Sequence, residues 1–450
     1  MTANMPKRSV IFLRRLQRIC IVFLMSVTAV QAQQTLSLED AVAHSLQNNL
    51  GIRLAQQQAE VAAIGNAWGA AGALPTLGVS ATGASAISDQ SKNPTSFLQE
   101  RIESESVNVA GQLNWVLFDG MGMFANKRAL ERIEEQAEGQ VNLVIEQTIA
   151  ATIMAYNSVL VQRAVRDVLA SSMQMSRDRL KWIDARRASG ASTTFDQLQF
   201  ENAVLTDSLA WMQQGINVRQ AVLSLNRLMG DATSSSWTFS SPLMAPENIE
   251  DIDQIKDGAL SNATTIQNAL ISQEIARTGV QQAQARMSPT LLLNASQNDQ
   301  VSRFSAGDLS ADGRTVNIAT NISLNFNLFN GGATRRAIQQ AKIQVAIAEN
   351  QALDEYREVA RLLADAWSRW TASSAAYAVS EQLTENCVRV LEIASERLAT
   401  GAINSLDFRE FQIQRMNAEQ QQIQALNAWQ MADVELLRLS GAWSQSPTLE

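Results

Sequence analysis

The chain repeats itself at a fixed interval, and this constrains its fold more than any single motif does. Trp115-Val116-Leu117-Phe118-Asp119-Gly120 returns as Phe326-Asn327-Leu328-Phe329-Asn330-Gly331, and Ser189-Gly190-Ala191 returns as Thr400-Gly401-Ala402. Phe118/Phe329, Gly190/Gly401, Asp196/Asp407 and Gly230/Gly441 all keep one offset of 211 residues, as 329 − 118 gives for the first pair. Two copies of one unit follow, at 33–235 and 249–441, with a linker at 236–248 and a tail at 442–450. The joining stretch from Asp231 to Pro246 is rich in Ser and Pro.

Proline spacing tells where helices can run. None occurs between Pro94 and Pro242 or between Pro289 and Pro447, so nothing there breaks the helical hydrogen-bond ladder. From Gly120 to about Ala188 the chain is dominated by Ala, Gln, Glu, Arg, Val and Leu, all but Val strong helix formers. A helix of that length would span roughly 100 Å at about 1.5 Å per residue, which suits a coiled-coil or tube architecture rather than an ordinary globule. Gly190 is placed to end it in the left-handed conformation, and Thr193-Thr194-Phe195-Asp196 reads as a capping box opening a return helix to Met229. The second copy repeats this, with a helix from about Ala333 to Ala399, a stop at Gly401 and a start at Asn404-Ser405-Leu406-Asp407. Each half opens with a further helix, Leu38 to about Ala73 and Ile249 to about Met287, closed by Pro75 and Pro289 at helix-to-strand junctions.

Between these helices lie alternating segments. Val316, Ile318, Ile322, Leu324, Phe326 and Leu328 interleave with Asn317, Ala319, Asn321, Ser323, Asn325 and Asn327. In the first copy Val107, Val109, Leu113, Trp115 and Leu117 interleave with Asn108, Gln112 and Asn114. Period-two alternation predicts strands with one apolar and one amide face. Their partners are Pro75 to about Ser88 and Pro289 to about Gln300, joined to them by polar loops at Asp89 to Ser104 and Val301 to Arg314. Four strands cannot close a barrel, since about eight is the minimum. Three chains would supply 12, an even number within the outer-membrane range.

Residues 1–32 read as a secretory signal peptide: Lys7, Arg8, Arg14, Arg15 and Arg18 precede the apolar run Ile19 to Val30, and Val30-Gln31-Ala32 offers a small-residue cleavage site. Removing those five basic residues takes the formal charge from −8 to −13, a balance that argues against nucleic acid as a partner. Cys387 is then the only cysteine, so no internal disulfide forms. No later apolar stretch reads as a transmembrane helix, so entry into a membrane would fall to the strands.

This ordered set resembles the TolC-like outer membrane efflux and secretion channel family, the outer membrane factors of tripartite export systems. The residues carrying the resemblance are Leu117-Phe118-Asp119-Gly120 and Leu328-Phe329-Asn330-Gly331-Gly332 at strand-to-helix junctions, Pro75 and Pro289, and Gly190 and Gly401 at tip turns. The resemblance implies a mainly α protein with membrane β structure: a homotrimer whose strands form one 12-stranded outer-membrane barrel, continuous with a long periplasmic α-helical barrel. It further implies a passive exit duct in the outer membrane of a Gram-negative cell, with a periplasmic adaptor and an inner-membrane transporter as partners. The apolar strand faces, with Trp115 and Phe326, would meet lipid.

The same resemblance puts Asp407 and Glu410 at an acidic periplasmic gate, with Asp196 as their counterpart in the first copy. Asp196 and Asp407 also stand where a carboxylate stabilises a helix start. The Tyr and Arg that tie the closed tip in familiar members are replaced by Leu398 and Ile403, and Arg186, Arg187, Arg397 and Arg409 are alternative ties. One histidine, His44, and the absence of nucleophile, metal or phosphate motifs leave no basis for an enzyme or a cofactor. The competing reading is a non-conducting trimeric coiled-coil scaffold of the cell envelope.

Overall fold

The computed structural model of the protein describes residues 34–231, 237–247, 252–441 and 443. The leader at 1–32 and all of the tail except Trp443 lie outside the described residues. In chain order the elements are β1 (Gln34–Leu36), α1 (Leu38–Asn48), α2 (Leu50–Gly65), β2 (Thr76–Asp89), β3 (Arg101–Phe118), α3 (Gly122–Ala188) and α4 (Thr194–Met229). There follow β4 (Trp237–Phe239), α5 (Ile252–Asn262), α6 (Thr264–Ala285), β5 (Thr290–Ala306), β6 (Leu309–Asn325), α7 (Ala333–Thr400) and α8 (Ser405–Leu439).

The duplication holds element by element, but its offset changes along the chain. α2 and α6 start 214 residues apart (264 − 50), as do β2 and β5 (290 − 76), whereas α3 and α7 start 211 apart (333 − 122). The difference arises between the strands: β2 and β3 are joined by residues 90–100, while β5 and β6 are joined only by Gly307 and Asp308.

Several boundaries depart from the sequence expectation. The opening helices are each two helices, broken at Asn49 (φ −63°, ψ 125°) and Ala263 (φ −57°, ψ 122°). At both breaks one residue turns to extended backbone without Gly or Pro. The stretch Val301 to Arg314, expected as a loop, instead continues β5 and β6 to a two-residue turn with Gly307 at φ +56°, the short-hairpin geometry that favours glycine. Arg303 donates to Asp312 (2.9 Å) and Arg314 to Asp299 (2.9 Å) across that hairpin. Within the stretch read as a connector, Trp237–Phe239 forms a strand. Finally, an 18-residue window of α3 reaches a mean hydropathy of 1.3, so one helix beyond the leader is long and apolar enough by composition to cross a membrane. Ala150, Tyr156, Val159 and Val161 of α3 are buried in the chain, as in a core helix.

Two compact units divide the chain. The first takes residues up to Asn49, Thr148–Glu247 and Trp370–Val434. In it β1 pairs in parallel with β4 (Leu36 opposite Phe239), and Leu36, Ala41, Tyr156, Val159, Leu225 and Met229 form a buried core with Trp237 and Phe239 packed on it. Tyr156 donates to the Leu36 carbonyl at 2.9 Å, satisfying the one polar atom of a fully buried ring.

The second unit takes Leu50–Gln147, Asn248–Arg369 and Glu435 onward. It contains one antiparallel sheet in the order β2-β3-β5-β6. The outermost strands, β2 and β6, each pair on one side only among the described residues.

Candidate functional site

The sheet sorts its side chains by face. Directly opposite residues share a face, and the register sets Thr76, Asn114, Asn294 and Asn321 in one row and Ser80, Ala110, Asn298 and Asn317 in another. The other face holds Leu77, Leu113, Ala295 and Thr320 in one row and Trp115, Leu293 and Ile322 in the next. The strands contain eight charged residues, Asp89, Arg101, Glu103, Glu105, Asp299, Arg303, Asp312 and Arg314, and all eight fall on this apolar face, toward the hairpin ends. The amide face carries no charge on any of the four strands. The four strands run 14 to 18 residues, longer than the segments of about 12 read from sequence.

Trp115 lies on the apolar face, 37 % exposed, with its indole donating to the Ala73 carbonyl at 2.9 Å. Phe326 falls just past the end of β6 and is 54 % exposed. Pro75 and Pro289 directly precede β2 and β5, where their missing N–H costs no ladder bond. Gly120 (φ +73°) and Gly331 (φ +66°) turn the chain from strand to helix in the left-handed region. Gly120 is also pinned by its surroundings: a Cβ there would stand 2.5 Å from the Ala285 carbonyl oxygen.

In the first unit the two helical turns are copies of each other. Gly190 (φ +76°) and Gly401 (φ +77°) close α3 and α7, with Ala191 N–H donating to the Arg186 carbonyl and Ala402 N–H to the Arg397 carbonyl, both at 2.8 Å. The return helices are capped as the sequence predicts. Thr193 Oγ1 accepts from Asp196 N–H (3.2 Å) and donates to the Asp196 carboxylate (2.7 Å), which holds that carboxyl below the usual Asp range. Asn404 Oδ1 accepts from Leu406 and Asp407 N–H at 2.8 and 2.9 Å. Glu410 is exposed and accepts from Gln414 at 3.3 Å.

Among the described residues no ion pair joins Arg186, Arg187, Arg397 or Arg409 to these three carboxylates. Arg186 stacks on Trp182, Arg187 donates to Gln197, and Arg409 pairs with Asp207, whose role sequence reasoning missed. Leu398 is buried with Ile183, Phe200, Leu391, Ala394 and Phe408, and Ile403 packs against that cluster. Leu398 and Ile403 therefore join the α3–α4 turn to the α7–α8 turn by apolar contact.

Edge-open strands with one apolar and one uncharged polar face, joined to capped helical hairpins in duplicate, define a membrane-channel protein of the strand-plus-helical-hairpin class. The family model "Outer membrane efflux protein" matches residues 41–231 and 256–442, and the chain belongs to that family. It is similar to the outer membrane efflux protein BepC of Brucella suis, 23 % identical over 331 residues covering 73 % of this chain and 71 % of the relative. Among solved structures it resembles a membrane protein from Pseudomonas aeruginosa (TM-score 0.74, 20 % identity, 90 % of this chain and 93 % of that one). It also resembles the CmeC outer membrane channel of Campylobacter jejuni (TM-score 0.73, 18 % identity, 90 % and 85 %). The protein has the fold of a TolC-like outer-membrane channel, an α-helical barrel with a β part, and its place is the outer membrane. Its family and structural neighbours are channels.

Proposed function

We propose that three copies of this chain close one 12-stranded barrel and serve as the passive exit duct of a tripartite efflux or type I secretion system. The observation that carries this reading is the four-stranded sheet itself, whose edges β2 and β6 each pair on one side only in the described chain. An open edge of this length is a template for another chain, and lipid tolerates strands only in closed barrels. β6 of one copy would pair with β2 of the next, apolar faces outward with Trp115 and Phe326 against lipid, amide faces inward against water.

Apolar stripes on the helices support the same assembly. On α4, Phe195, Leu198, Leu205, Leu209, Met212 and Ile216 recur at steps of three, four or seven residues and are each more than half exposed. Such a seam at heptad spacing fits a neighbouring helix. The turns at Gly190 and Gly401 form the periplasmic end in this reading, with Asp407 and Glu410 as a carboxylate ring and Asp196 chiefly as a cap. An adaptor bridges that end to an inner-membrane transporter, which supplies the energy.

Single cysteines placed near the middle of β2 and β6, on the amide face, test the assembly. Oxidation of the purified protein should give dimers and trimers on denaturing gels, the trimer resisting further growth. Monomer alone from a folded preparation would contradict the shared barrel.

A further inference from the structure

The distribution of charge over the sheet reaches past the duct reading, on which it rests, to what the membrane section selects. A strand face chosen only to be wet could carry Asp, Glu, Lys or Arg as readily as amides, since polar barrel interiors accept them. Here all eight charged residues of the strands share the apolar face, and the middle of the facing surface is built from Asn, Gln, Ser, Thr and small residues, with Val116 and Leu292 at one end and Ile102, Phe304 and Leu309 at the other. The charges also keep to one end. The apolar face runs uncharged from Leu291 to Gln297 on β5, and Asp299 and Arg303 follow. Their partners on β6 are Arg314, diagonal to Asp299, and Asp312, opposite Arg303. Tilted membrane strands need only about 9 to 11 residues to cross the hydrocarbon, so strands of 17 residues reach beyond it. The paired charges then stand at headgroup level or above, outside the apolar band.

We infer that the membrane section of this duct is a passage without fixed charge, lined by carboxamides and hydroxyls, which admits hydrogen-bonding cargo of either charge sign and discriminates by size. Three copies would stack the row of Thr76, Asn114, Asn294 and Asn321 into a ring of nine Asn and three Thr, groups that both donate and accept hydrogen bonds. Such a ring replaces part of a cargo's hydration without favouring cation or anion, whereas rings of charged side chains select by sign. Charge selection then belongs to parts of the duct outside the strands.

The test is the cation-to-anion permeability ratio of the full-length protein in planar bilayers under a salt gradient. Asn321→Lys and Asn321→Asp each add three like charges to the inner wall, and should move the ratio in opposite directions by about twofold or more, because a charge acts across roughly a Debye length of 8 Å. The pair of changes Asp299→Asn with Arg314→Gln, on the other face, should leave it unchanged. As a second route, Asn321→Cys labelled in the open channel with a charged thiol reagent should shift the ratio, and Ile322→Cys should not. A conducting wild type whose ratio follows the outer-face changes, or ignores both the Asn321 substitutions and the label, overturns the inference alone. A folded wild type that never conducts overturns the duct reading and the inference with it.

Discussion

The guanidinium of Arg409 holds the carboxylate of Asp207 in a two-pronged ion pair, with Nη2 to Oδ1 at 2.6 Å and Nη1 to Oδ2 at 2.9 Å, the side chains 15 % and 5 % exposed. Asp207 belongs to the return helix of the first repeat and Arg409 to that of the second, so the pair ties the duplicated hairpins together inside the first unit. Ser176 donates to the same carboxylate at 2.7 Å, and Gln412 donates to Ser176 at 2.9 Å.

Cutting one side of that pair strands a buried charge, which costs more than removing both partners. Asp207→Ala should lower stability by about 3 kcal/mol, and the double change Asp207→Leu with Arg409→Met should recover most of it. Thermal unfolding of the three proteins by circular dichroism decides this. Equal losses in the single and double variants would mean that a stranded charge is not what the single change costs.

The two strand-to-helix glycines should respond differently although both are left-handed. Gly120→Ala adds a Cβ 2.5 Å from a backbone carbonyl oxygen on top of the left-handed cost of roughly 1–2 kcal/mol. Gly331, with nothing within 4 Å of a Cβ, should accept Asn, a residue that tolerates this conformation. Yield of folded protein and its melting temperature are the readouts: a clear drop for Gly120→Ala and little change for Gly331→Asn.

Much of this was legible in the chain. The 211-residue echo, the proline-free stretches and the Gly190 and Gly401 stops gave the long helices and their turns, and alternation gave the two faces of the sheet. What escaped was set by contacts or by brevity. The breaks at Asn49 and Ala263 carry no Gly or Pro signal, and β1 and β4 have three residues each, stabilised by pairing across some 200 positions of sequence. The end of the β5–β6 hairpin reads as a loop in sequence because its polar residues are cross-strand ion pairs, a pattern indistinguishable from solvated turn chemistry until the register is known. For the candidate gate, the sequence supplied the capping geometry of Asp196 and Asp407. The ion pair of Arg409 with Asp207 joins positions 202 apart in sequence with no local motif to mark them.

Glu146 carries a pH dependence. It is buried, accepts from Thr264 Oγ1 at 2.7 Å, and burial raises its pKa above the usual Glu range despite Thr264 and Arg438 opposing this. A carboxyl raised on folding favours the folded state below its unfolded pKa of about 4.3, and that contribution is lost as pH climbs through the folded value. Glu146→Gln keeps an acceptor for Thr264 without the charge. Its melting temperature should therefore equal or exceed that of wild type at pH 8, with the advantage shrinking toward pH 4. A variant less stable than wild type at pH 8 would show that the charge is needed there.

The most direct test of the central claim, that the chain forms a duct, is single-channel conductance of the purified trimer in a planar bilayer, wild type against Asp407→Asn/Glu410→Gln. The account predicts discrete cation-preferring openings in wild type and a loss of that preference, or of block by divalent cations, in the variant. Openings that ignore the substitutions would keep the duct and remove the gate assignment. A folded trimer that never opens would contradict the duct and favour a structural scaffold of the cell envelope.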